Sequence, residues 1–203
     1  RIVILGPQGS GKGTQAELLA KRLRVPAVSM GQLLRDEKAR GTALGRTIAR
    51  RVDRGQYVPS SIAIRVLERW FARGRATRGF VLDGYPRKLA QLRHLDRLTS
   101  IDAAVVIELS DRECIARLAG RRIGPDGRVY HLRFQPPPTS VPPSSLQLRH
   151  DDTPAEVRKR LREHHRYTDP VIRAYDQRGL VHRFSGRPSI AVIARQIAAR
   201  LLG

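Results

Sequence analysis

Arg1-Ile-Val-Ile-Leu5 leads directly into Gly6-Pro-Gln-Gly9-Ser-Gly11-Lys12-Gly13-Thr14, and the fold is decided at that junction. Ile2 to Leu5 is a short unbroken apolar run, the pattern of a parallel strand buried on both faces. Beyond the glycines, Lys12 to Leu23 carries helical periodicity. A glycine-rich turn between a buried strand and a helix is the context that a phosphate-binding P-loop requires. Glycines let backbone N–H groups turn inward toward phosphate oxygens, and the helix N-terminus adds partial positive charge. Lys12 supplies a mobile cation. Gly13 separates Lys12 from Thr14, so the hydroxyl sits one place later than in the general P-loop pattern. Whether it bonds Mg²⁺ directly is therefore left open.

Outward from that junction, Ala27-Val28-Ser29, Phe80-Val-Leu82, Ala103 to Leu109 and Leu180 to Phe184 read as further strands. Asp83-Gly84 closes the second of these. Helical patterns occupy 31–53 with a break at Gly41, then 60–72, 88–98, 111–119, 154–178 and 189–202. Strands alternating with helices predict an α/β fold, a three-layer α/β/α sandwich around a five-stranded parallel sheet of the P-loop NTPase type. Two stretches break the alternation. Residues 30–59 are helical but short of strand signals, and residues 120–152 are neither helical nor simple strand. The second stretch holds the turn Gly124-Pro125-Asp126-Gly127 and two proline clusters, Pro136-Pro137-Pro138 and Pro142-Pro143. With Arg121, Arg122, Arg128, Val129-Tyr130-His131 and Arg149, it reads as a structured lid rather than a linker. The chain then divides into a core of 1–29, 60–119 and 153–203, an insertion of 30–59, and a lid of 120–152. No internal repeat is evident.

The 203 residues are 40% hydrophobic and 28% charged, a composition that fits a soluble globular protein. No apolar run approaches the ~20 residues that span a bilayer. The first residues enter the motif at once, so no signal peptide is expected. Cys114, the one cysteine, excludes an internal disulfide and a Cys-rich zinc site, and it reads as a small helical residue. A reducing cytoplasm is the expected compartment. With 39 basic against 18 acidic residues, the net charge of +21 attracts polyanions, either nucleic acid or small phosphorylated substrates. Basic single-strand binders usually interleave aromatics for base stacking, and aromatics are only 5% here. His131, His164 and His165 lack metal-ligand companions and read as structural, and Trp70 reads as core.

Other segments carry a resemblance to a known family. Ser29-Met30-Gly31-Gln32-Leu33-Leu34-Arg35 follows the second strand, and Asp53-Arg-Gly55-Gln56-Tyr57-Val58-Pro59 closes the first insertion. Gly79-Phe-Val-Leu-Asp83-Gly84-Tyr85-Pro86-Arg87 is followed four places later by Gln91. Arg117-Leu-Ala-Gly120-Arg121-Arg122 opens the lid, Arg149-His150-Asp151-Asp152 closes it, and Val157-Arg-Lys-Arg160-Leu161 comes next. In this order, over nearly the whole chain, these elements resemble the adenylate kinases of the metal-free, long-lid type. Met30 and Gln32 depart from the family's usual Thr and Asp, Ser60-Ser61 replaces an acidic pair, and His150 stands for a more common Lys.

The resemblance implies reversible phosphoryl transfer, ATP + AMP = 2 ADP, in a monomeric cytoplasmic enzyme without membrane or nucleic-acid partners. It assigns catalysis to Lys12, Arg87, Arg117, Arg121, Arg149 and Arg160. It places ATP on Gly9, Ser10, Gly11, Lys12, Gly13 and Thr14, with Arg117, Arg121, Val129, Tyr130 and Arg187 around it. It places AMP against Met30, Arg35, Gln56, Tyr57, Val58, Gly84, Tyr85, Pro86, Arg87, Gln91, Arg149 and Arg160. Asp83 would hold Mg²⁺ through water, and no structural zinc is expected. Asp151 and Asp152 would make hinge or lid contacts with arginines. Met30 cannot donate the hydrogen bond of the usual Thr, while Gln91 argues for adenine. Two alternatives stay open: a relative that phosphorylates UMP, CMP or GMP, and a non-catalytic nucleotide- or RNA-binding module.

Overall fold

The computed structural model describes residues 1–52, 58–74, 76–125, 127–134, 136–148 and 152–203. Strand β1 (Ile2–Leu5) runs into α1 (Lys12–Leu23), and β2 (Ala27–Ser29) into α2 (Met30–Ala39) and α3 (Ala43–Val52). Next come α4 (Ser60–Phe71), β3 (Val81–Asp83), α5 (Leu89–Leu98), β4 (Ala103–Glu108) and α6 (Asp111–Ala119). A hairpin of β5 (Arg121–Ile123) and β6 (Val129–His131) precedes α7 (Pro154–Glu163) and α8 (Asp169–Asp176). The chain closes with β7 (Val181–Ser185) and α9 (Ile190–Leu202).

β1, β2, β3, β4 and β7 form one parallel sheet in the order β2-β3-β1-β4-β7. The period-2 geometry of a strand sends alternate side chains to opposite faces. Val3, Leu5, Ala104 and Val106 join the cluster that includes Val66, Leu92 and Val171 of α4, α5 and α8. Ile2, Ile4, Val105 and Ile107 join Ala16, Leu19, Ile193 and Ile197 of α1 and α9 on the other face. Both faces are covered by helices, which is why the strands read as unbroken apolar runs. Trp70 is buried in the first cluster. Cys114 is fully buried in a third, with Leu118, Val157 and Leu161, where α6 meets α7. No described helix is long and apolar enough to cross a membrane.

The structure refines the sequence reading in two places. The helical pattern of 154–178 is interrupted by a π-helical turn, His164–Thr168, between α7 and α8. The lid stretch contains an antiparallel hairpin, extended by an isolated bridge between Ile123 and Gln147. Its strands are three residues long and built from Arg-Arg-Ile and Val-Tyr-His, so they carry no apolar alternation.

The chain leaves β1 toward β3 and β2 on one side and toward β4 and β7 on the other. Ligands of open α/β sheets bind at the carboxyl ends of strands beside such a reversal. The phosphate loop, Asp83 at the end of β3, and α6 after β4 all lie at that edge.

Candidate active site

The loop between β1 and α1 is tightly enclosed. Gly6 and Gly9 have φ of 143° and 88°, values that L side chains rarely adopt. A Cβ on Gly6 would meet the Ile107 carbonyl oxygen at 2.4 Å. On Gly9 it would lie 3.0 Å from the Cys114 carbonyl oxygen and 3.2 Å from Leu118. Helix α6 therefore rests directly on the loop. Gly11 caps α1 in the left-handed conformation, and Gly13 and Thr14 fall in its first turn. A Cβ on Gly13 would stand 3.5 Å from Asp83 Oδ2. Ser10 Oγ, Gln8 Oε1 and Asp83 Oδ1 are buried without a hydrogen-bond partner among the described residues.

Lys12 Nζ donates to the Pro7 carbonyl at 3.1 Å. Enclosure of its ammonium group lowers its pKa from 10.5 to about 8. Asp83 opposes that shift, while Arg87, Arg160 and Arg121 reinforce it. These neighbours come from β3, the following loop, α7 and the lid, so widely separated segments converge on Lys12.

On the β2–β3 side, Met30 opens α2 and is buried. The Ser29 hydroxyl caps this helix by accepting from Gln32 N. Gln32 Oε1 accepts from Arg35 Nε at 3.1 Å and Arg35 Nη2 at 2.6 Å. Gln32 Nε2 donates to Asp36 at 2.7 Å, so the residue at the family's Asp position still clasps Arg35. Val58 is half-buried against the core. Arg87 Nε donates to the Gly84 carbonyl at 2.9 Å. Gln91 Oε1 accepts from Arg87 N at 2.7 Å, and its Nε2 donates to Ser60 Oγ at 3.3 Å. Tyr85 and Pro86 are buried, and the Tyr85 hydroxyl donates to the Gln91 carbonyl at 3.2 Å. Gln56, Tyr57, Arg149 and Asp151 lie outside the described residues.

At the lid, Arg117 Nη2 donates to the Gly186 carbonyl at 2.7 Å, and its guanidinium lies 5.0 Å from the Phe134 ring. Arg121 donates through Nε to Asp152 Oδ2 at 2.6 Å and through Nη2 to Oδ1. Arg160 Nη1 lies 3.5 Å from the same carboxylate. Val129 is exposed and Tyr130 is buried in the hairpin. Arg187 pairs with Glu113 at 2.8 Å. His131 Nδ1 lies within hydrogen-bond reach of the backbone N–H of Arg133 and Phe134, and Nε2 lies 2.8 Å from the Arg117 carbonyl. That arrangement joins the hairpin to the end of α6, and burial holds the His131 pKa below the ordinary range.

Sequence reasoning passed over two residues here, Glu37 and Phe134, and read a third, His164, only as structural. Glu37 is a buried carboxylate that accepts from Thr42, Arg40 and Arg69. It is silent in a helix rich in charge. Phe134 stands three residues beyond His131, a spacing that places it under Arg117. His164 lines a small cavity with Gln8, Lys12, Arg87 and Glu163. It falls four residues after Arg160, a helical spacing that would have placed it on the same face.

Residues 4–180 match the family model described as adenylate kinase. The chain belongs to the adenylate kinase family. It is 36% identical to an adenylate kinase of Methanothrix thermoacetophila, over 97% of this chain and 96% of the relative. It is 38% identical to one of Gloeobacter violaceus, over 100% and 98% of the two chains. A third, from an Anaeromyxobacter species, is 38% identical over 91% of each. The family reaction is ATP + AMP = 2 ADP, a phosphotransfer between adenine nucleotides.

Proposed function

We propose that this chain carries out the family reaction with ATP on the phosphate loop and AMP between α2 and the loop 84–87. One observation carries the reading. The enclosed Lys12 ammonium feels the Asp83 carboxylate and the guanidinium groups of Arg87, Arg121 and Arg160 together. That is the charge distribution a transferring phosphoryl group calls for.

AMP phosphate is already an anion at neutral pH, so its oxygen attacks the γ-phosphorus in line without a strong general base. The bond to the ATP β–γ bridging oxygen breaks, and two ADP molecules leave. Catalysis then consists of positioning and charge stabilisation. Lys12, Arg87, Arg117, Arg121 and Arg160 surround the oxygens that gain charge, and the resemblance adds Arg149, which lies outside the described residues. Guanidinium suits this role because its planar fork donates paired hydrogen bonds and stays protonated. Backbone N–H groups of Gly9 to Thr14 hold the ATP phosphates. Arg35 binds the AMP phosphate, Gln91 and Val58 meet the AMP base, and the resemblance assigns Gln56 and Tyr57, outside the described residues, to AMP as well. The buried Tyr85 and Pro86 put loop backbone, rather than side chains, against AMP. Val129, Tyr130, Arg117 and Arg187 border the ATP base. Lid closure excludes water, the competing acceptor.

Asp83 fits a hydrated Mg²⁺. Its Oδ1 is buried without a partner among the described residues, and a single carboxylate suits a cation that keeps most of its waters. When bound with ATP, the ion supplies charge neutralisation on the phosphate oxygens. Both nucleotide pockets are built from one polypeptide, which supports a monomer as the working species.

The test is ADP formation from ATP with AMP, UMP, CMP or GMP as acceptor. AMP is expected to be preferred. Preference for a pyrimidine nucleotide would reassign the Met30 pocket, and no turnover with any acceptor would overturn the reading.

A further inference from the structure

The π-helical turn His164–Thr168 sits where the phosphate cavity, α6 and α8 meet. Such turns inside helices mark functional sites more often than chance. Here the turn places two consecutive histidines on different neighbours. His164 is buried, faces the cavity of Lys12 and Arg87, and sets Nε2 3.5 Å from Asp169 Oδ1. His165 lies outside it, with Nδ1 3.1 Å from Asp169 Oδ2 and Nε2 2.9 Å from Asp111 Oδ1. Asp111 is the first residue of α6. A polar chain thus runs from the cavity wall through His164, Asp169 and His165 to the start of the helix that rests on the phosphate loop.

Helix α6 packs on Gly9 and, through Cys114 and Leu118, on Val157 and Leu161 of α7, and three polar contacts hold its other side. Arg187 meets Glu113, Arg117 meets the Gly186 carbonyl, and His131 meets the Arg117 carbonyl. All three lie on the β7 or lid side. The His165–Asp111 contact adds a polar tie to the α7–α8 side, at the first residue of the helix.

We infer that His165, held between Asp169 and Asp111, is a positioning residue that sets α6 against the phosphate loop and so tunes the ATP side of the site. The inference rests on the functional reading above. Both ring nitrogens of His165 face carboxylate oxygens, and only the imidazolium has two N–H donors to give them. Its pKa is accordingly raised, first by the Asp111 hydrogen bond. His164 is the opposite case: burial pulls it down to about 4, and it stays neutral beside the catalytic cations.

The two histidines and Asp169 also line an open cavity of about 540 Å³. The other charged groups around it are Glu108 and Arg183, paired at 2.8 Å, then Glu113 with Arg187, and Arg173. On the turn itself Arg166 flanks His165. The two pairs cancel in charge, Arg173 and Arg166 add positive charge that disfavours the imidazolium, and Asp111 and Asp169, the two groups bonded to the ring, favour it. The proton is present below the ordinary imidazole range and is lost as pH rises through the raised value.

The experiment measures KM for ATP and for AMP in wild type, His165→Ala, Asp111→Asn and the double variant, at pH 6 and pH 9. His165 and Asp111 are both about half exposed, so the variants are expected to fold. At pH 6 each single variant should raise KM for ATP about two- to fivefold, the scale of an exposed ion pair, with KM for AMP unchanged. The double variant should match the worse single one, and the difference from wild type should vanish at pH 9. A parallel readout is the His165 ring resonance, expected to titrate at lower pH in Asp111→Asn than in wild type. Equal losses for AMP, full multiplication in the double variant, or a pH-independent difference would overturn the inference. So would an unchanged KM for ATP. If wild type itself makes no ADP, the functional reading fails instead.

Discussion

Asp152 accepts both the Nε and the Nη2 hydrogens of Arg121 while its side chain is wholly shielded from solvent. Arg160 approaches the same carboxylate at 3.5 Å. Two of the arginines proposed to face the phosphates are therefore held on one buried acid. A phosphate, like that carboxylate, presents paired anionic oxygens to a guanidinium fork, so a nucleotide phosphate and Asp152 can both serve Arg121 as bidentate partners.

Removing that acid should be costly. In Asp152→Ala the two guanidiniums, 18% and 16% exposed, lose their shared counter-charge. The expected loss is about 3 kcal/mol, the low end for breaking a buried ion pair. For a chain of this size that is a fall in Tm of roughly 6–12 °C. Calorimetry checks it, and an unchanged Tm would show that the pair contributes nothing net.

Arg87→Ala should leave the fold intact and lower kcat by a factor of about 10²–10³, the usual cost of one well-placed charge-stabilising donor. A steady-state ADP assay with far-UV circular dichroism separates turnover from folding. Near-normal turnover in the folded variant would remove Arg87 from the catalytic set.

Lys12 should couple nucleotide binding to a proton. Its folded pKa lies below that of the unfolded chain, so between pH 8 and 10.5 the unfolded state binds more protons. Its contribution therefore makes folding more favourable as pH rises through that window. A polyphosphate beside Lys12 stabilises the charged form, so ATP binding near pH 8.5 should take up a proton. ATP affinity should fall above pH 8. Titration calorimetry in two buffers of different ionisation enthalpy measures the uptake, and Lys12→Met should abolish it.

Glu37 should behave as the pin of the α2–α4 contact. Burial alone would raise its pKa, but the Thr42 hydrogen bond and Arg69 and Arg40 together bring it below the ordinary value. A depressed carboxylate contributes stability above the unfolded pKa of about 4.5 and loses it as pH falls through the folded value. Glu37→Ala should cost about 2–3 kcal/mol, since its arginine partners are half exposed. The deficit should shrink toward pH 3. Urea unfolding at pH 7 and pH 3 checks the sign, and an equal deficit at both would point to lost packing alone.

The sheet was legible because β1 and β4 are buried on both faces, which leaves no polar positions to blur the pattern. The P-loop was legible because glycines at a strand–helix junction have few other uses. The partners of the arginines were not. Arg121 finds its acid at Asp152 and Arg187 finds Glu113, pairings 31 and 74 residues apart that no periodicity encodes. Nor was the π-helical turn visible, because one extra residue in a charged helix shifts the register without changing the composition. Gln91 was singled out for a ligand role, and what packing sets for its carboxamide is a hold on Arg87 N and Ser60 that the motif did not announce.

The burial of Cys114 has a practical consequence. Desolvation raises its thiol pKa to about 11, and the side chain is walled in by Leu118, Val157 and Leu161. A thiolate is the species that reacts with alkylating dyes, so the native sulfur should stay dark to them at neutral pH. Pairs of cysteines introduced at exposed positions of the lid and α2 can then take fluorophores selectively, and the proposed closure can be tested by energy transfer without first replacing a residue that seats α6 on α7.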